Sequence, residues 1–210
     1  MGITYNSLVA SIENYLVRND ASTIQQIPTF ILNAQLKICR EAKTIGLEQY
    51  VSGFFQPGQA VMEKPARWRR TITFNYGSGQ GFNTRNFLKQ GTYEYLNMYW
   101  PNRTLTAAPI YYSDYDYNTL LIAPTPDIAY PFEFAYIELP VPLTVNQQTN
   151  WLTNYAGDVL LYGSLLEAMP FLKNDERIPA WQEKYKAGIA SLIQQDTQSH
   201  FDRQYNREAD

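Results

Sequence analysis

Two aspartates, Asp114 and Asp116, lie two residues apart in a tyrosine-rich segment and are the clearest candidates for acid–base chemistry. A pair of carboxylates can hydrolyse a glycosidic bond, and neighbouring tyrosine rings would hold the sugar. The same spacing is typical of a hairpin turn in which an aspartate accepts backbone hydrogen bonds. Because no further catalytic group follows at a recognisable spacing, we expect a turn. Carbohydrate binding or cleavage is retained as the alternative.

Other residue types that usually carry catalysis are scarce. The chain has one cysteine, Cys39, and one histidine, His200, which excludes an intrachain disulfide and a zinc site of several Cys and His ligands. The segment Gly77–Gly81 lacks the Lys-Ser or Lys-Thr ending of a phosphate-binding loop and predicts a flexible turn. We therefore expect no catalytic residue, no cofactor and no metal, and hence no enzyme.

One basic cluster surrounds Trp68 and consists of Lys64, Arg67, Arg69 and Arg70. Four cations and a tryptophan can bind phosphate groups and stack on a nucleic-acid base. Arginine and tryptophan are equally favoured at protein interfaces. Because the chain carries a net charge of -3, we favour protein contact over DNA contact.

Tyrosine is abundant, at 17 of 210 residues. Its ring gives a large, stiff contact area at low entropic cost, which suits protein interfaces and sugar sites. Tyr111, Tyr112, Tyr115 and Tyr117 fall on both faces of one predicted strand, more than a single core face can bury. We therefore expect part of this run to contact another protein chain.

The elements that must position these residues are helical at both ends of the chain and β-rich between them. Apolar spacing predicts helices around Leu8–Leu16, from Ile24 or Pro28 to Lys43, over Trp151–Phe171, and from Asn174 to about residue 196. Alternation predicts strands at Arg70–Tyr76 and Phe132–Glu138 and a hairpin over Ile110–Ile122, interrupted upstream by a helix at Tyr93–Trp100.

The predicted fold class is therefore α+β. A helical bundle is built from residues 1–46 and 147–196, a β-rich domain is inserted at 47–146, and residues 197–210 form an extended C-terminal tail. Hydrophobic residues make up 45% of the chain, enough for a sizeable core. There is no signal-peptide pattern and no apolar run of ~20 residues, so we expect a soluble protein.

Three parts of the chain resemble one known family. They are the opening helix with Ile27–Glu41, the segment Tyr93–Pro101, and the C-terminal pattern Trp151–Leu152, Leu160–Ala168 and Pro170–Arg177 followed by Trp181 and Tyr185. Their packing and capping patterns together span most of the chain. They resemble the head-to-tail adaptor, or connector, proteins of tailed bacteriophages, particularly short-tailed ones.

That resemblance implies a structural protein of the virion neck, assembled in the host cytoplasm. Such adaptors form a ring, usually of twelve copies, beneath the portal protein. They extend the DNA channel without sequence-specific DNA binding and carry the tail or nozzle proteins. No membrane is involved. The alternative becomes a carbohydrate-binding or carbohydrate-cleaving tail component.

The resemblance also suggests which residues make these contacts. A C-terminal extension commonly reaches the portal, so the candidate portal-binding residues are His200, Phe201, Arg203, Tyr205 and Arg207. The candidate subunit or tail interface comprises Arg67, Trp68, Arg69, Arg70, Tyr111, Tyr112, Tyr115 and Tyr117.

Overall fold

The computed structural model describes residues 2–17, 20–42, 45–78, 84–172 and 176–208, with the backbone alone at residues 45, 78, 196 and 198–208. The chain forms two compact units. Residues 1–47 and 139–210 make the first, called here the helical unit, and residues 48–138 make the second, called here the β unit. Residues 139–146, predicted as part of the insertion, belong to the helical unit.

The α-helices of the described residues are α1 (Tyr5–Leu16), α2 (Ala21–Glu41), α3 (Tyr93–Tyr99), α4 (Trp151–Tyr155), α5 (Gly157–Glu167) and α6 (Ile178–Glu208). Short 3₁₀ turns occupy Ile45–Leu47 and Met169–Phe171. All of these except α3 belong to the helical unit.

Side-chain caps explain where three helices of the helical unit begin. The Thr4 hydroxyl accepts a hydrogen bond from the Ser7 N–H before α1, and Asn150 does the same for Thr153 before α4. Asp20 accepts the Thr23 N–H at 3.0 Å, so α2 begins at Ala21. The predicted start at Ile24 or Pro28 is therefore too late, because α2 begins at Ala21 and Pro28 lies inside it.

The single helix predicted over Trp151–Phe171 is interrupted. At Ala156 the backbone leaves helical geometry, with φ -138° and ψ 37°, and α5 begins at the next residue. The N-terminal segment crosses this region, since the Ile3 N–H donates to the Thr153 carbonyl at 3.0 Å. Gly157 accommodates that segment, because a Cβ there would lie 3.0 Å from the Ile3 side chain.

The core of the helical unit lies where α2, α5 and α6 meet. Gly163 of α5 makes this close approach possible, since a Cβ there would lie 3.3 Å from Ala34 and 3.2 Å from the Tyr185 ring. Aliphatic side chains of the same three helices, such as Ile31, Leu160 and Ile189, are buried. The helical bundle that the apolar spacing predicts is thus present.

The C-terminal segment requires a correction. Residues 197–208 were predicted to have no structure of their own, but they continue α6 to Glu208. No glycine or proline follows Gly188. Extending an existing helix adds one hydrogen bond per residue without a new nucleation cost, so the polar composition of this segment does not stop the helix.

The β unit contains two four-stranded sheets. Sheet 1 has the order β1-β8-β3-β4 and is antiparallel throughout, with β1 (Glu48–Phe54), β3 (Trp68–Ser78), β4 (Thr84–Phe87) and β8 (Pro131–Glu138). Sheet 2 has the order β2-β7-β6-β5, with β2 (Val61–Glu63), β5 (Lys89–Gln90), β6 (Tyr111–Asp114) and β7 (Thr119–Ala123). The α+β class is confirmed.

An aromatic core joins the inner faces of the two sheets. Phe74 and Phe134 of sheet 1 meet edge to face at 4.8 Å, and Tyr112 of sheet 2 lies 5.5 Å from Phe74. The alternation that predicts the strand Arg70–Tyr76 would place Ile72, Phe74 and Tyr76 on one face, and the structure shows this only in part. An irregularity between Thr71 and Thr73 interrupts the alternation, which leaves Ile72 exposed while the two aromatic residues are buried.

A smaller cluster lies on the other face of sheet 2. Leu96 of α3 packs against Leu121 and Ala123 of β7, with Tyr111 and Trp100 at its margin. The predicted helix at Tyr93–Trp100 is confirmed as α3. It therefore covers sheet 2 on the face opposite the aromatic core.

Candidate functional site

Lys64 of the basic cluster is almost fully enclosed, with 4% of its side chain exposed. Its Nζ lies 2.7 Å from Asp114 Oδ1, donates to the Asp116 carbonyl at 2.9 Å, and lies 4.0 Å from the centre of the Trp68 ring. The cation thus joins the segment after β2 to the β6–β7 hairpin. A cation held in this way is not available to a phosphate group.

The arginines of the cluster have separate surroundings. Arg67 forms an ion pair with Glu138 at the end of β8. Arg69 is half-buried at an irregularity of β3, whereas Arg70 is exposed. Among the described residues neither Arg69 nor Arg70 has an ion-pair partner, so these two are the cluster's available cations.

Asp116 stabilises the hairpin turn. Its Oδ1 accepts the N–H groups of Asn118 at 2.7 Å and Thr119 at 2.8 Å. Hydrogen bonds from Thr119 and the Asn118 backbone lower the pKa of this carboxyl. The turn expected from the sequence is confirmed, and Asp114 is meanwhile held by Lys64. Asp116, with its lowered pKa, is therefore not the raised-pKa acid that glycoside cleavage requires.

The four predicted interface tyrosines divide into two classes. Tyr112 is 5% exposed and lies in the aromatic core, where burial raises its pKa. Tyr111 is half-buried against α3. Tyr115 is exposed, and Tyr117, at the tip of the hairpin, is 82% exposed. Tyr117 therefore offers most of its ring to a partner, and Tyr115, at 42% exposed, offers less than half of its surface.

Tyrosines of α3 extend this exposed surface. Tyr95 and Tyr99 stack at 6.1 Å, Tyr111 packs edge to face against both, and Tyr93 lies 5.7 Å from Tyr115. These five residues are called here the tyrosine surface. The interval of four between Tyr95 and Tyr99 in a predicted helix was a signal for this surface, although only the β6 run was singled out.

Polar contacts fix the orientation of the tyrosine surface. Hydrogen bonding with Asn97 and Arg103 lowers the pKa of Tyr93. The Arg103 guanidinium also lies 5.4 Å from the centre of the Tyr115 ring, within the range of a cation–π contact. The surface is thus a set of mutually packed rings, preorganised for a contact.

A polar groove of about 520 Å³ lies on the helical unit, lined by Asn33, Lys37, Arg40, Glu41 and Glu167. Tyr185 donates a hydrogen bond to Glu41 at 2.8 Å, and burial together with that bond raises the tyrosine pKa. Lys37 lies 3.6 Å from Glu167. This network could not be predicted from the sequence, because its members come from three helices that are distant along the chain.

The remaining candidates lie apart from these surfaces or outside the described residues. Cys39 is buried in α2, as expected of a small apolar side chain. Residues 79–83, which include most of the glycine-rich segment, lie outside the described residues. The backbone at His200, Phe201, Arg203, Tyr205 and Arg207 belongs to α6, and their side chains lie outside the described part.

The described residues contain neither a cluster of metal ligands nor a helix that could span a membrane. No group of three or more His, Cys, Asp or Glu side chains there could hold a metal ion. Within the same residues, no helix combines the length and apolar character needed to cross a bilayer.

Comparison with models of known protein families identifies the family of this chain. The model of the SU10 adaptor protein family matches residues 3–207, which include both units and the backbone of α6. No curated protein sequence matches the chain. The family match confirms the resemblance to phage head-to-tail adaptors that the helical segments indicated. The chain therefore belongs to the SU10 adaptor protein family and is a phage adaptor protein.

Proposed function

We propose that this protein assembles into a closed ring, of twelve copies by analogy with related adaptors, beneath the portal of a short-tailed phage. The ring extends the channel through which DNA passes and provides the attachment platform for tail or nozzle proteins. It is a structural component of the virion neck without enzymatic activity.

The exposed aromatic residues of the β unit are the observation that supports this proposal best. They are Tyr50, Phe54, Phe87, Tyr93, Tyr95, Tyr99, Tyr115 and Tyr117. Aromatic side chains are enriched in the buried parts of protein interfaces and depleted elsewhere on surfaces. A repeated subunit that contacts neighbours and a tail protein accounts for this excess, which no catalytic site in the described residues requires.

The carbohydrate alternative lacks a comparable observation. Asp114 is paired with Lys64, and Asp116 accepts two backbone hydrogen bonds of its own turn. Both carboxylates thus have structural contacts within the hairpin.

Ring formation is tested by mixing the purified protein with its cognate portal. We expect negative-stain images and mass photometry to show a closed ring of adaptor subunits on the portal. A protein that stays monomeric with portal present, and that binds oligosaccharide, would contradict the adaptor function and favour the alternative.

The C-terminal segment is tested by deleting residues 197–210. If this end of α6 docks on the portal, the deletion removes portal binding while circular dichroism still reports a folded protein. A deletion of residues 208–210 alone is the matched control and should bind normally. Unchanged binding of the longer deletion would refute the role assigned to His200, Phe201, Arg203, Tyr205 and Arg207.

A further inference from the structure

Sheet 1 ends in two edge strands, β1 and β4, at opposite ends of the order β1-β8-β3-β4, and no further strand of the described residues pairs with either. An exposed edge strand presents backbone N–H and C=O groups that can pair with another chain. Natural edges are commonly protected by proline or lysine, but neither occurs in β1 (Glu48–Phe54) or β4 (Thr84–Phe87).

The outward-facing backbone groups can be identified from the register. The Phe55 N–H donates to the Tyr130 carbonyl at 3.0 Å, one step beyond the β1–β8 ladder. Because hydrogen-bonded pairs alternate along antiparallel strands, Gln49, Val51 and Gly53 bond to β8. Tyr50, Ser52 and Phe54 therefore direct their backbone groups away from the sheet, and no described residue forms a backbone hydrogen bond with them.

The same reasoning applies to β4. The Leu88 N–H donates to the Phe74 carbonyl at 2.8 Å, one step beyond the β3–β4 ladder. Thr84 and Asn86 thus bond to β3, whereas Arg85 and Phe87 direct their backbone groups outward. Among the described residues these outward groups also lack a backbone partner.

The direction of the strands favours pairing of these two edges with each other. Every neighbouring pair in sheet 1 is antiparallel, so the first and the fourth strand run in opposite directions. A second copy placed beside the first in the same orientation would bring its β1 antiparallel to β4. This head-to-tail contact uses two different surfaces of one chain, which is the type of contact that generates rings.

Side chains at the two edges are complementary. Ser52, Glu133, Asn75 and Phe87 form one row on the face of sheet 1 opposite the aromatic core, with Asn75 buried and the two edge residues exposed. Continuing this row into a second copy places Phe87 opposite Ser52 and Arg85 opposite Phe54. Phe54 is 65% exposed and the Arg85 side chain 55% exposed, and a guanidinium over an aromatic ring is an attractive contact.

The charges of the two edges are also opposite. β1 contains one acidic residue, Glu48, and no basic one, whereas β4 contains Arg85 and no acidic residue. Arg85 also forms an ion pair with Glu133 of its own sheet at 3.5 Å, so strand direction and register favour the β1–β4 pairing more strongly than charge does.

We infer that β1 of one subunit pairs with β4 of the next, so that sheet 1 continues from subunit to subunit around the ring. The inference rests on the proposed function. A pairing of about four residues is small beside the roughly 1,200–2,000 Å² of a stable interface. We therefore expect this pairing to form in the ring on the portal and not between dilute monomers.

The test uses the double variant Ser52→Cys/Phe87→Cys, with both single variants as controls, each imaged first as a ring on the cognate portal. Treatment with a short bis-maleimide should convert the double variant into a ladder of covalent oligomers, while each single variant stays monomeric on a denaturing gel. Wild-type protein controls for Cys39, which is buried. Covalent dimers from Ser52→Cys alone would indicate β1–β1 pairing and overturn the inference.

A second variant tests the backbone contact directly. Ser52→Pro removes one outward N–H group, and an edge strand tolerates proline at such a position. We expect it to lose ring formation on the portal while its melting temperature stays within a few degrees of wild type. Ser52→Thr keeps the N–H group and should form rings. If Ser52→Pro also forms rings, the pairing is wrong.

Two failures are distinguishable. Rings that form normally but give no ladder overturn the strand pairing and leave the adaptor function intact. Absence of any ring for wild-type protein on its portal contradicts the proposed function itself.

Discussion

The helical unit and the β unit differ in where they place aromatic residues. The helical unit buries mainly aliphatic side chains and exposes two aromatic ones among its described residues, Tyr15 and Tyr155. In the β unit, aromatic residues dominate the core, and eight further aromatic side chains are exposed. The comparison indicates that the helical unit is mainly a framework, whereas the β unit supplies most of the aromatic contact surface.

The largest expected effect is loss of the aromatic core. Phe134 is fully buried between the two sheets, and replacing such a residue by alanine costs about 3–5 kcal/mol. We expect Phe134→Ala to lower the free energy of unfolding of the β unit by that amount. Hydrogen exchange measured by mass spectrometry should show faster exchange in residues 48–138.

The matched control lies in the helical unit. Leu160 is also fully buried, and Leu160→Ala should cost about 2–5 kcal/mol with faster exchange in the helices. If each substitution accelerates exchange equally in both units, the two units unfold together. The proposed difference in stability between them would then be wrong.

A smaller loss is expected for Lys64→Met. The substitution keeps an unbranched apolar side chain but removes the donor to the Asp116 carbonyl and the partner of Asp114. Because the Asp114 side chain is 49% exposed, water replaces part of the lost contact, and the expected cost is about 0.5–1.5 kcal/mol. Urea denaturation should show this loss, and Lys64→Arg, which keeps the charge, should lose less. Equal stability of wild type and Lys64→Met would mean that Lys64 does not stabilise the hairpin.

Alkaline pH should weaken the β unit through Tyr130. Burial, and then the hydrogen bond to Asp127, raises the pKa of Tyr130 from 10.0 to about 12. The folded state therefore favours the neutral phenol. The contribution of Tyr130 to the free energy of unfolding is present below pH 10.0 and is lost as the pH rises toward about 12. Urea denaturation at a series of pH values should show a shallower alkaline loss for Tyr130→Phe. If the unfolding free energy of Tyr130→Phe falls with pH as steeply as that of wild type, Tyr130 is not the cause of the alkaline loss.

Acid should weaken the helical unit through the cap of α2. Hydrogen bonds from the Thr23 and Ser22 side chains lower the pKa of Asp20 from 3.8 to about 2. The contribution of the Asp20 carboxylate to the free energy of unfolding is present above pH 3.8 and is lost as the pH falls toward about 2. Asp20→Asn retains a capping oxygen but does not titrate. Its unfolding free energy should therefore change less over this range than that of wild type, and a parallel pH profile would contradict the assignment.

The smallest effect on stability is expected at the hairpin tip. Tyr117 is the most exposed residue of the tyrosine run, so Tyr117→Ser should change the free energy of unfolding by less than about 0.5 kcal/mol. If the exposed aromatic residues serve assembly, the variant should nevertheless weaken ring or tail binding in mass photometry. If Tyr117→Ser lowers stability but not binding, Tyr117 stabilises the fold and does not contribute to assembly.

Periodicity was sufficient to predict most elements of the fold. The interval of three or four between Leu8 and Ile12, and the alternation of Phe132, Phe134 and Tyr136, reflect burial on one face of a single element. Features that depend on contacts between distant segments were not visible in this way. The break at Ala156 coincides with the N-terminal segment bonding to Thr153.

In the candidate site, too, contacts between neighbouring residues were predictable, whereas contacts between distant segments were not. The Asp116 turn was predictable because its hydrogen bonds connect residues two and three positions apart. The neutralisation of Lys64 by Asp114 was not, because the two residues come together only through the pairing of β2 with β7 and of β7 with β6. Four cations were therefore expected in the basic cluster from the sequence alone. In the structure Lys64 and Arg67 form ion pairs, and Arg69 and Arg70 have no ion-pair partner among the described residues.

The division of the helical unit between both ends of the chain has a consequence during synthesis. α2 leaves the ribosome with Ile27, Phe30 and Ile31, which are buried in the finished protein, but α5 follows only after the whole β unit has been made. At about 5–20 residues per second this delay is about 5–20 seconds. The β unit can complete its core during that interval, whereas the first two helices must stay unaggregated until the end of the chain arrives. The nascent chain is thus most vulnerable to chaperone capture while residues 48–138 are being translated.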